Sequence, residues 1–343
     1  MNFYRTFFPR RCLLKNAILL FAGLLLTVHI FAQKKYVMVI HGGAGTILKE
    51  KMSPQVEKLY TDKLQEAILA GYAQLQAGKT SVDAVSAAIV ILEDSPLFNA
   101  GKGAVFTHDG KNELDASVMY GKDKTAGAVA GVHTIKNPIK AAIAVMQRSD
   151  HVMLSGTGAE KFAAAKGLQI VKPDYFRTEK TWNALQRVLK AEREKKITHQ
   201  QLQPPADNKF GTVGAVAIDK HGNITAGTST GGMTNKRYGR IGDSPIIGAG
   251  TYANEQVGIS CTGWGEFFIR STAARTVAAK MQYQDKRVQA AAREVIDEIG
   301  AMGGDGGMIA LDKDGNMAMP FNTAGMYRAA ITENGEVEIN IYK

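Results

Sequence analysis

Two stretches of this 343-residue chain carry the residue types of a hydrolase. His41-Gly-Gly-Ala-Gly45 is a glycine loop whose backbone N–H groups could face an oxyanion, and Gly227-Thr-Ser-Thr-Gly231 has the G-x-S-x-G spacing of a nucleophile elbow. A serine esterase built on that elbow needs its acid and then its histidine after the serine in the chain. All seven histidines, at 29, 41, 108, 133, 151, 199 and 221, precede Ser229, so the order fails. Gly248-Ala-Gly-Thr-Tyr-Ala253 fits the dinucleotide fingerprint G-x-G-x-x-A, but strand-like NEQVGISC follows where a helix is required. A glycine turn between strands accounts for it. With no H-E-x-x-H and no paired C-x-x-C, the histidines are expected to be structural or solvated rather than zinc ligands.

A third stretch offers different chemistry. GTVGAVAID (211–219) reads as a buried strand that starts one residue, Phe210, after the polar run QQLQPPADNK. A threonine hydroxyl is a weak nucleophile, and one way to activate it is the free α-amine of the same residue once that residue is N-terminal. Such an amine titrates at about 7.7–8.0 and can accept a proton near neutrality. Cutting Gly211-Thr212 would therefore create a catalyst that contains its own base and needs no histidine.

The elements that must position this pair follow from periodicity. YVMVI (36–40) is strand-like and ends in the HGGAG loop; helical spacing runs from Val56 to Gln76 and from Ser81, a plausible N-cap, to Glu93. Short strands are expected at 103–107, 113–119, 126–135 and 151–154, and helices open at Pro138, over 159–166 and over 181–196. Residues 197–211 have the composition of a tether. Beyond it, TVGAVAID and ITAGTST read as a hairpin whose first strand is apolar or small on both faces and so must be covered on both sides. Helices over 266–280 and 287–299 and strands at 307–311, 316–320, 326–331 and 336–342 complete the pattern. Antiparallel strands between helical layers, an α+β sandwich of the form α-β-β-α, fit this better than a βαβ series.

Composition sets the outer limits. With 45% hydrophobic and 22% charged residues the chain can bury a sizeable core. Arg5, Arg10, Arg11 and Lys15 precede an apolar run from Ala17 to Ala32, which reads as a cleaved signal peptide over residues 1–32 and an exported, periplasmic or secreted protein without a lasting membrane anchor. Removing those four basic residues leaves 10 − 4, or +6, of the formal net charge, scattered among acids, so nucleic-acid binding is excluded as a function class. Cys261 is the one cysteine beyond the leader, and no intramolecular disulfide can form.

From about Lys35 to Tyr342 the sequence resembles the plant-type L-asparaginase/isoaspartyl peptidase family of threonine N-terminal-nucleophile hydrolases. The stretches that carry the resemblance are HGGAG (41–45), LEDSPLFNAGKGAVFT (92–107), ELDASVMYG (113–121), GAVAGV (127–132), NP (137–138), GTVGAVAID (211–219), TSTGGMTNKRYGRIGDSPIIGAG (228–250), CTGWGE (261–266) and PFNTAGMYRA (320–329). It implies the four-layer αββα N-terminal-nucleophile fold in a single domain, residues 33–343, cut by the protein itself into an α-subunit (33–211) and a β-subunit (212–343). Thr212 would be the nucleophile, Thr230 the hydroxyl bonded to it, and Thr262 and Gly263 the oxyanion donors. Asn99 would support the cleavage geometry. Arg240 would take the substrate's α-carboxylate, Asp243 its α-ammonium, and Gly265 would contact substrate as well. The backbone carbonyls of Leu92, Glu93, Ser95, Phe98, Ala100 and Lys102 would hold a structural sodium ion, with no cofactor needed for the chemistry. Trp264 departs from the pattern, standing where the family carries mostly small or polar residues, and bears on substrate preference.

The expected activity is hydrolysis of the side-chain amide of L-asparagine and of the isopeptide bond of β-aspartyl dipeptides, by a homodimer of αβ units. Two rivals remain at this level: a glycosylasparaginase-like amidase, and an uncleaved periplasmic ligand-binding homologue.

Overall fold

The computed structural model describes Met1 and residues 35–198 and 211–343. Residues 2–32 of the expected leader and 199–210 of the expected tether lie outside the described residues.

Twelve strands are found among the described residues: β1 (Val37–Gly45), β2 (Leu114–Tyr120), β3 (Ala126–Val132), β4 (Met153–Ser155), β5 (Val213–Ile218), β6 (Ile224–Thr230), β7 (Thr251–Ala253), β8 (Val257–Gly263), β9 (Gly306–Asp312), β10 (Met317–Ala318), β11 (Gly325–Ile331) and β12 (Val337–Tyr342). The helices are α1 (Pro54–Gln76), α2 (Ser81–Glu93), α3 (Pro138–Arg148), α4 (Gly156–Ala165), α5 (Glu179–Thr198), α6 (Gly265–Arg270), α7 (Ala273–Gln284) and α8 (Val288–Ala301). The strands form an eight-stranded sheet in the order β12-β11-β1-β5-β6-β2-β3-β4 and a four-stranded sheet in the order β10-β9-β8-β7. All pairs are antiparallel except the short edge pair β3–β4, which is parallel.

Side-chain alternation explains the layering. Met38 and Ile40 on β1, with Val213, Ala215 and Ala217 on β5, face a core shared with α1 and α2, whereas Val37, Val39, Val216 and Ile218 face Ile309 and Leu311 of the second sheet. On the far side of that sheet Val257, Ile259 and Cys261 meet α7 and α8. These three apolar interfaces separate four layers, helices, sheet, sheet, helices, and each fully buried aliphatic side chain in them contributes about 1.5–3 kcal/mol. The expected α-β-β-α sandwich is the observed one.

Local departures from expectation have local causes. Thr80, not Ser81, caps α2: its hydroxyl accepts from Asp83 N–H while the Asp83 carboxylate takes the Thr80 N–H, a reciprocal capping box. The helix expected over 266–280 is two helices. Ser271 Oγ donates to the Phe267 carbonyl (2.8 Å) and Thr276 Oγ1 to the Ser271 carbonyl (2.8 Å), so hydroxyls compete for helix acceptors and Thr272 turns to φ 43°. The strand expected at 103–107 is a single 3₁₀ turn, Gly101–Gly103, followed by an isolated bridge between Phe106 and Asn112. Finally, α5 runs to Thr198, so the first two residues of the expected tether are helical.

Candidate active site

The gap between the two sheets changes character along β5 and β6. On β6, Ile224 and Ala226 belong to the apolar interface; two and four residues further on, the same face presents Thr228 and Thr230. On antiparallel β5 that face runs from Ile218 and Val216 back to Gly214 and Thr212. The apolar end fixes the register, and the register brings two threonines side by side: Thr212 Oγ1 donates to Thr230 Oγ1 at 3.0 Å, with both residues buried.

Three neighbours hold this pair. Gly232 N–H donates to Thr230 Oγ1 at 3.0 Å, leaving that oxygen poised as an acceptor. Asn99 uses all its polar groups here: its N–H donates to the Gly211 carbonyl (3.0 Å), its side-chain nitrogen to the Gly232 carbonyl (2.7 Å), its side-chain oxygen accepts from Val105 N–H (3.0 Å), and its carbonyl accepts from Gly231 N–H (3.0 Å). Third, His41 Nδ1 lies 3.0 Å from the Thr212 carbonyl oxygen.

From the second sheet comes Thr262, fully buried on the same face of β8 as Ser260. Its Oγ1 has no hydrogen-bond partner within the described residues, an arrangement that costs free energy unless the hydroxyl serves something else. Gly263 follows at φ 150°, where a Cβ would stand 2.4 Å from the Asp305 carbonyl, so the position admits glycine alone.

Arg240, Asp243 and Gly265 converge: a Cβ on Gly265 would lie 2.8 Å from Asp243 Oδ1 and 2.9 Å from Arg240 Nη2. Burial pushes the Asp243 carboxyl up to about 7, outweighing the favourable field of Arg240. Its Oδ2 also lacks a partner among the described residues. The Arg240 fork is engaged with Glu266, Nε to Oε1 at 2.9 Å and Nη2 to Oε2 at 2.8 Å. An acidic oxygen awaiting a cation next to a guanidinium suits a ligand that carries both signs of charge. Behind this group Lys236 is buried between Glu113 (3.5 Å) and Asp115 (3.9 Å), and Asp115 is the cross-strand partner of Thr230.

The family model described as asparaginase matches residues 34–341. The chain belongs to the asparaginase family. It is 50% identical over 299 residues to the isoaspartyl peptidase of Escherichia coli K12, covering 86% of this chain and 92% of that one. The isoaspartyl peptidase of Salmonella typhimurium LT2 is 50% identical over 297 residues, 86% and 95% of the two chains. The plant-type L-asparaginase of Pyrococcus abyssi is 44% identical over 300 residues, 86% and 96%.

In this asparaginase-family chain the loop Leu92–Lys102 has features of an oxygen-lined cradle. Main-chain carbonyls crowd its glycines: a Cβ on Gly101 would stand 2.3 Å from Glu93 O, and one on Gly103 would stand 2.0 Å from Phe98 O. Phe98 O and Ala100 O each accept one N–H, from Ala100 and Gly103, which leaves each a second lone pair. Such donors fit a hard monovalent cation. The Glu93 side chain turns the other way, accepting from Ser229 Oγ (2.6 Å) and Ile139 N–H (3.0 Å); burial raises its pKa to about 7.

Trp264 packs edge-on against Phe267, ring centroids 5.2 Å apart at 76°, and hydrogen-bonds Glu266. Its ring therefore touches the side chain that holds Arg240. Three functional-site neighbours escaped sequence reasoning: His41, Glu266 and Lys236. The HGGAG stretch was visible, but it reads as a loop on its glycines, whereas β1 continues through it with a register shift between His41 and Gly43 and carries His41 inside. For Glu266 and Lys236, charge within the motif-bearing segments was the available signal.

Proposed function

We propose that this chain is a threonine amidohydrolase acting on the side-chain amide of L-asparagine and on the isopeptide bond of β-aspartyl peptides. The observation that carries it is the Thr212 Oγ1 to Thr230 Oγ1 bond at 3.0 Å, at the head of a central strand that packs against β8, the strand bearing the unpartnered Thr262 hydroxyl. The named relatives act as isoaspartyl peptidases and L-asparaginases, which supports the same substrate class here.

Activation begins with attack of Thr212 Oγ1 on the Gly211 carbonyl carbon. The C–N bond breaks, Thr212 acquires a free α-amine, and water hydrolyses the transient ester to leave Gly211 as a carboxylate. Asn99 N–H, already 3.0 Å from the Gly211 oxygen, steadies the charge that develops there. In turnover the α-amine takes the Thr212 hydroxyl proton as the oxygen attacks the substrate's side-chain carbonyl carbon. Thr262 Oγ1, with a main-chain N–H at Gly263, stabilises the oxyanion. The amine then returns the proton to the leaving nitrogen, and ammonia, or the amino acid or peptide that was linked to the aspartyl side chain, departs. Water attacks the acyl-threonine ester, releases aspartate and restores the enzyme.

Arg240 and Asp243 read the α-carboxylate and α-ammonium of the aspartyl head and leave the departing group loosely specified, with Gly265 contacting the same head. A sodium ion held by the carbonyls of Leu92, Glu93, Ser95, Phe98, Ala100 and Lys102 would supply no chemical step; it would stiffen the loop that carries Asn99. Export after removal of residues 1–32, and assembly as a dimer of cleaved units, complete the proposal and are read by N-terminal sequencing and by size-exclusion chromatography.

The deciding experiment compares wild type with Thr212→Ala on a denaturing gel and in assays of L-asparagine, β-aspartyl dipeptides and an asparagine-linked sugar. Wild type is expected to give two bands, the smaller beginning with Thr212, and to hydrolyse the first two substrates. The variant is expected to stay intact and inactive. Turnover by Thr212→Ala would defeat the mechanism, and hydrolysis of the sugar alone would replace the substrate class.

A further inference from the structure

His41 is fully buried, yet every atom of its ring that can form a hydrogen bond is engaged. Nδ1 lies 3.0 Å from the Thr212 carbonyl oxygen and Nε2 3.0 Å from Ser260 Oγ. The β1–β5 ladder ends at the pair His41–Gly214, two residues short of Thr212. Just beyond that pair β1 shifts register against β11, and the imidazole reaches past the end of the β1–β5 ladder to the carbonyl of the first residue of the proposed mature strand.

The direction of the protons from His41 to Thr251 follows from what each atom can do. A carbonyl oxygen only accepts, so Nδ1 carries the hydrogen. Burial, opposed by the Thr212 carbonyl, lowers the His41 pKa to about 3, so the ring is neutral and Nε2 must accept. Ser260 therefore donates to Nε2. Its oxygen must then receive from Thr228 Oγ1 at 2.7 Å, and Thr228 from Thr251 Oγ1 at 2.5 Å. Ser117 stands at the head of the chain, 2.8 Å from Thr251 Oγ1 and 2.6 Å from the carbonyl of Ser244, the residue after Asp243. Gly214 makes the approach possible: a Cβ there would stand 2.0 Å from Ser260 Oγ and 2.3 Å from His41 Nε2.

We infer that His41 is a positioning residue for the Thr212 nucleophile, its tautomer set by the Thr212 carbonyl and its ring anchored at Nε2 by the donor chain Thr251–Thr228–Ser260, which ties the nucleophile's main chain to the loop bearing Asp243. A row of hydroxyls that all donate the same way polarises each bond in turn and keeps Nδ1–H aimed at one acceptor. The assignment rests on the proposed role of Thr212. It extends that role from the hydroxyl to the carbonyl on the other side of the same residue, where a small displacement would misplace the attacking oxygen and the adjacent α-amine together.

The test uses the full-length protein, with kcat and KM for L-asparagine measured on the cleaved fraction of each variant. His41→Ala is expected to lower kcat by about 10–100-fold with KM within about threefold of wild type, because misplacement acts on the transition state. His41→Asn, whose amide N–H stands near the place of Nδ1, is expected to recover most of the loss. In ¹⁵N spectra wild type should show one imidazole tautomer, protonated at Nδ1, and Ser260→Ala, which frees Nε2, should lower kcat and shift the Nε2 signal. A native kcat in His41→Ala overturns the assignment, as does a kcat loss that His41→Asn leaves unrepaired. Should His41→Ala fail to fold, a Ser260→Ala protein with native kcat and an unchanged Nε2 signal overturns it equally. An inactive wild type would instead defeat the proposed function, whereas active wild type beside equally active His41→Ala defeats the His41 role alone.

Discussion

Replacing Thr262 by valine separates catalysis from stability. The side chain is fully buried and its hydroxyl meets no partner in the described residues, so the folded protein bears the desolvation of that group, about 1–3 kcal/mol, without return. Valine keeps the branched shape that suits a strand and removes the unpartnered oxygen. Stability should therefore hold or rise; each kcal/mol gained moves the melting temperature by about 1–2 °C in a chain of this size, at about 2.1 cal/mol/K of unfolding entropy per residue. The proposed oxyanion donor disappears at the same time, and loss of one such donor costs about 10²–10³ in kcat, roughly 2.7–4 kcal/mol of transition-state stabilisation. Ammonia release from L-asparagine, followed at saturating and limiting substrate, should show the fall in kcat with KM little changed, alongside a melting curve no lower than wild type. A variant that melts as predicted but keeps kcat within about threefold of wild type would refute the oxyanion role, since the donor's share is far larger than that.

Asp243→Asn should lower kcat/KM for L-asparagine by about 10²-fold or more, as expected when one member of a buried charge pair is lost. Because the Asp243 carboxyl sits at about 7 before substrate binds, the wild-type kcat/KM should fall as pH drops through 7; the asparagine variant should lose that limb and keep only the one set by the α-amine. Glu93 is raised from 4.5 to about 7, so folding takes up a proton between those values and its contribution to stability declines as pH rises through that window, by on the order of 3 kcal/mol. Melting curves at pH 4.5 and 7.5 should consequently lie closer together in Glu93→Gln than in wild type, and an unchanged spacing would contradict the burial of that carboxyl. Gly214→Ala puts a Cβ 2.0 Å from Ser260 Oγ and should cost about 1–3 kcal/mol in thermal stability; a melting point equal to wild type would show that the two sheets can part there freely.

What could be read from the residues was the kind of each layer, and what could not was the order within it. The two-sided apolar pattern of 213–218 demanded cover on both faces, and the second sheet and α2 supply it. Nothing in those residues says that β2 should lie beside β6, because strand neighbours are chosen by packing of the whole sandwich. Thr212, Thr230 and Asn99 stand in long motif-bearing stretches and do meet in space. His41 stood in such a stretch too, but glycine-rich sequence looks like loop, and only the sheet shows that its small residues let β1 bulge without leaving the ladder. The Arg240–Glu266 clasp was hidden for another reason: a glutamate opening a short helix is commonplace until its partner's position is known.

The strand order has a consequence for how such a protein could come into being. Counting across the large sheet, β12 and β11 come from beyond residue 212, β1 from before it, β5 and β6 from beyond, and β2, β3 and β4 from before. If the chain is cut before Thr212, the two products are woven through each other rather than docked, and neither has all its strands of the sheet in one contiguous block. Separately made halves would each have to fold around a missing partner's strands. The uncut chain is then its own assembly jig: folding must come first, and the cut product should unfold in a single transition, both fragments together.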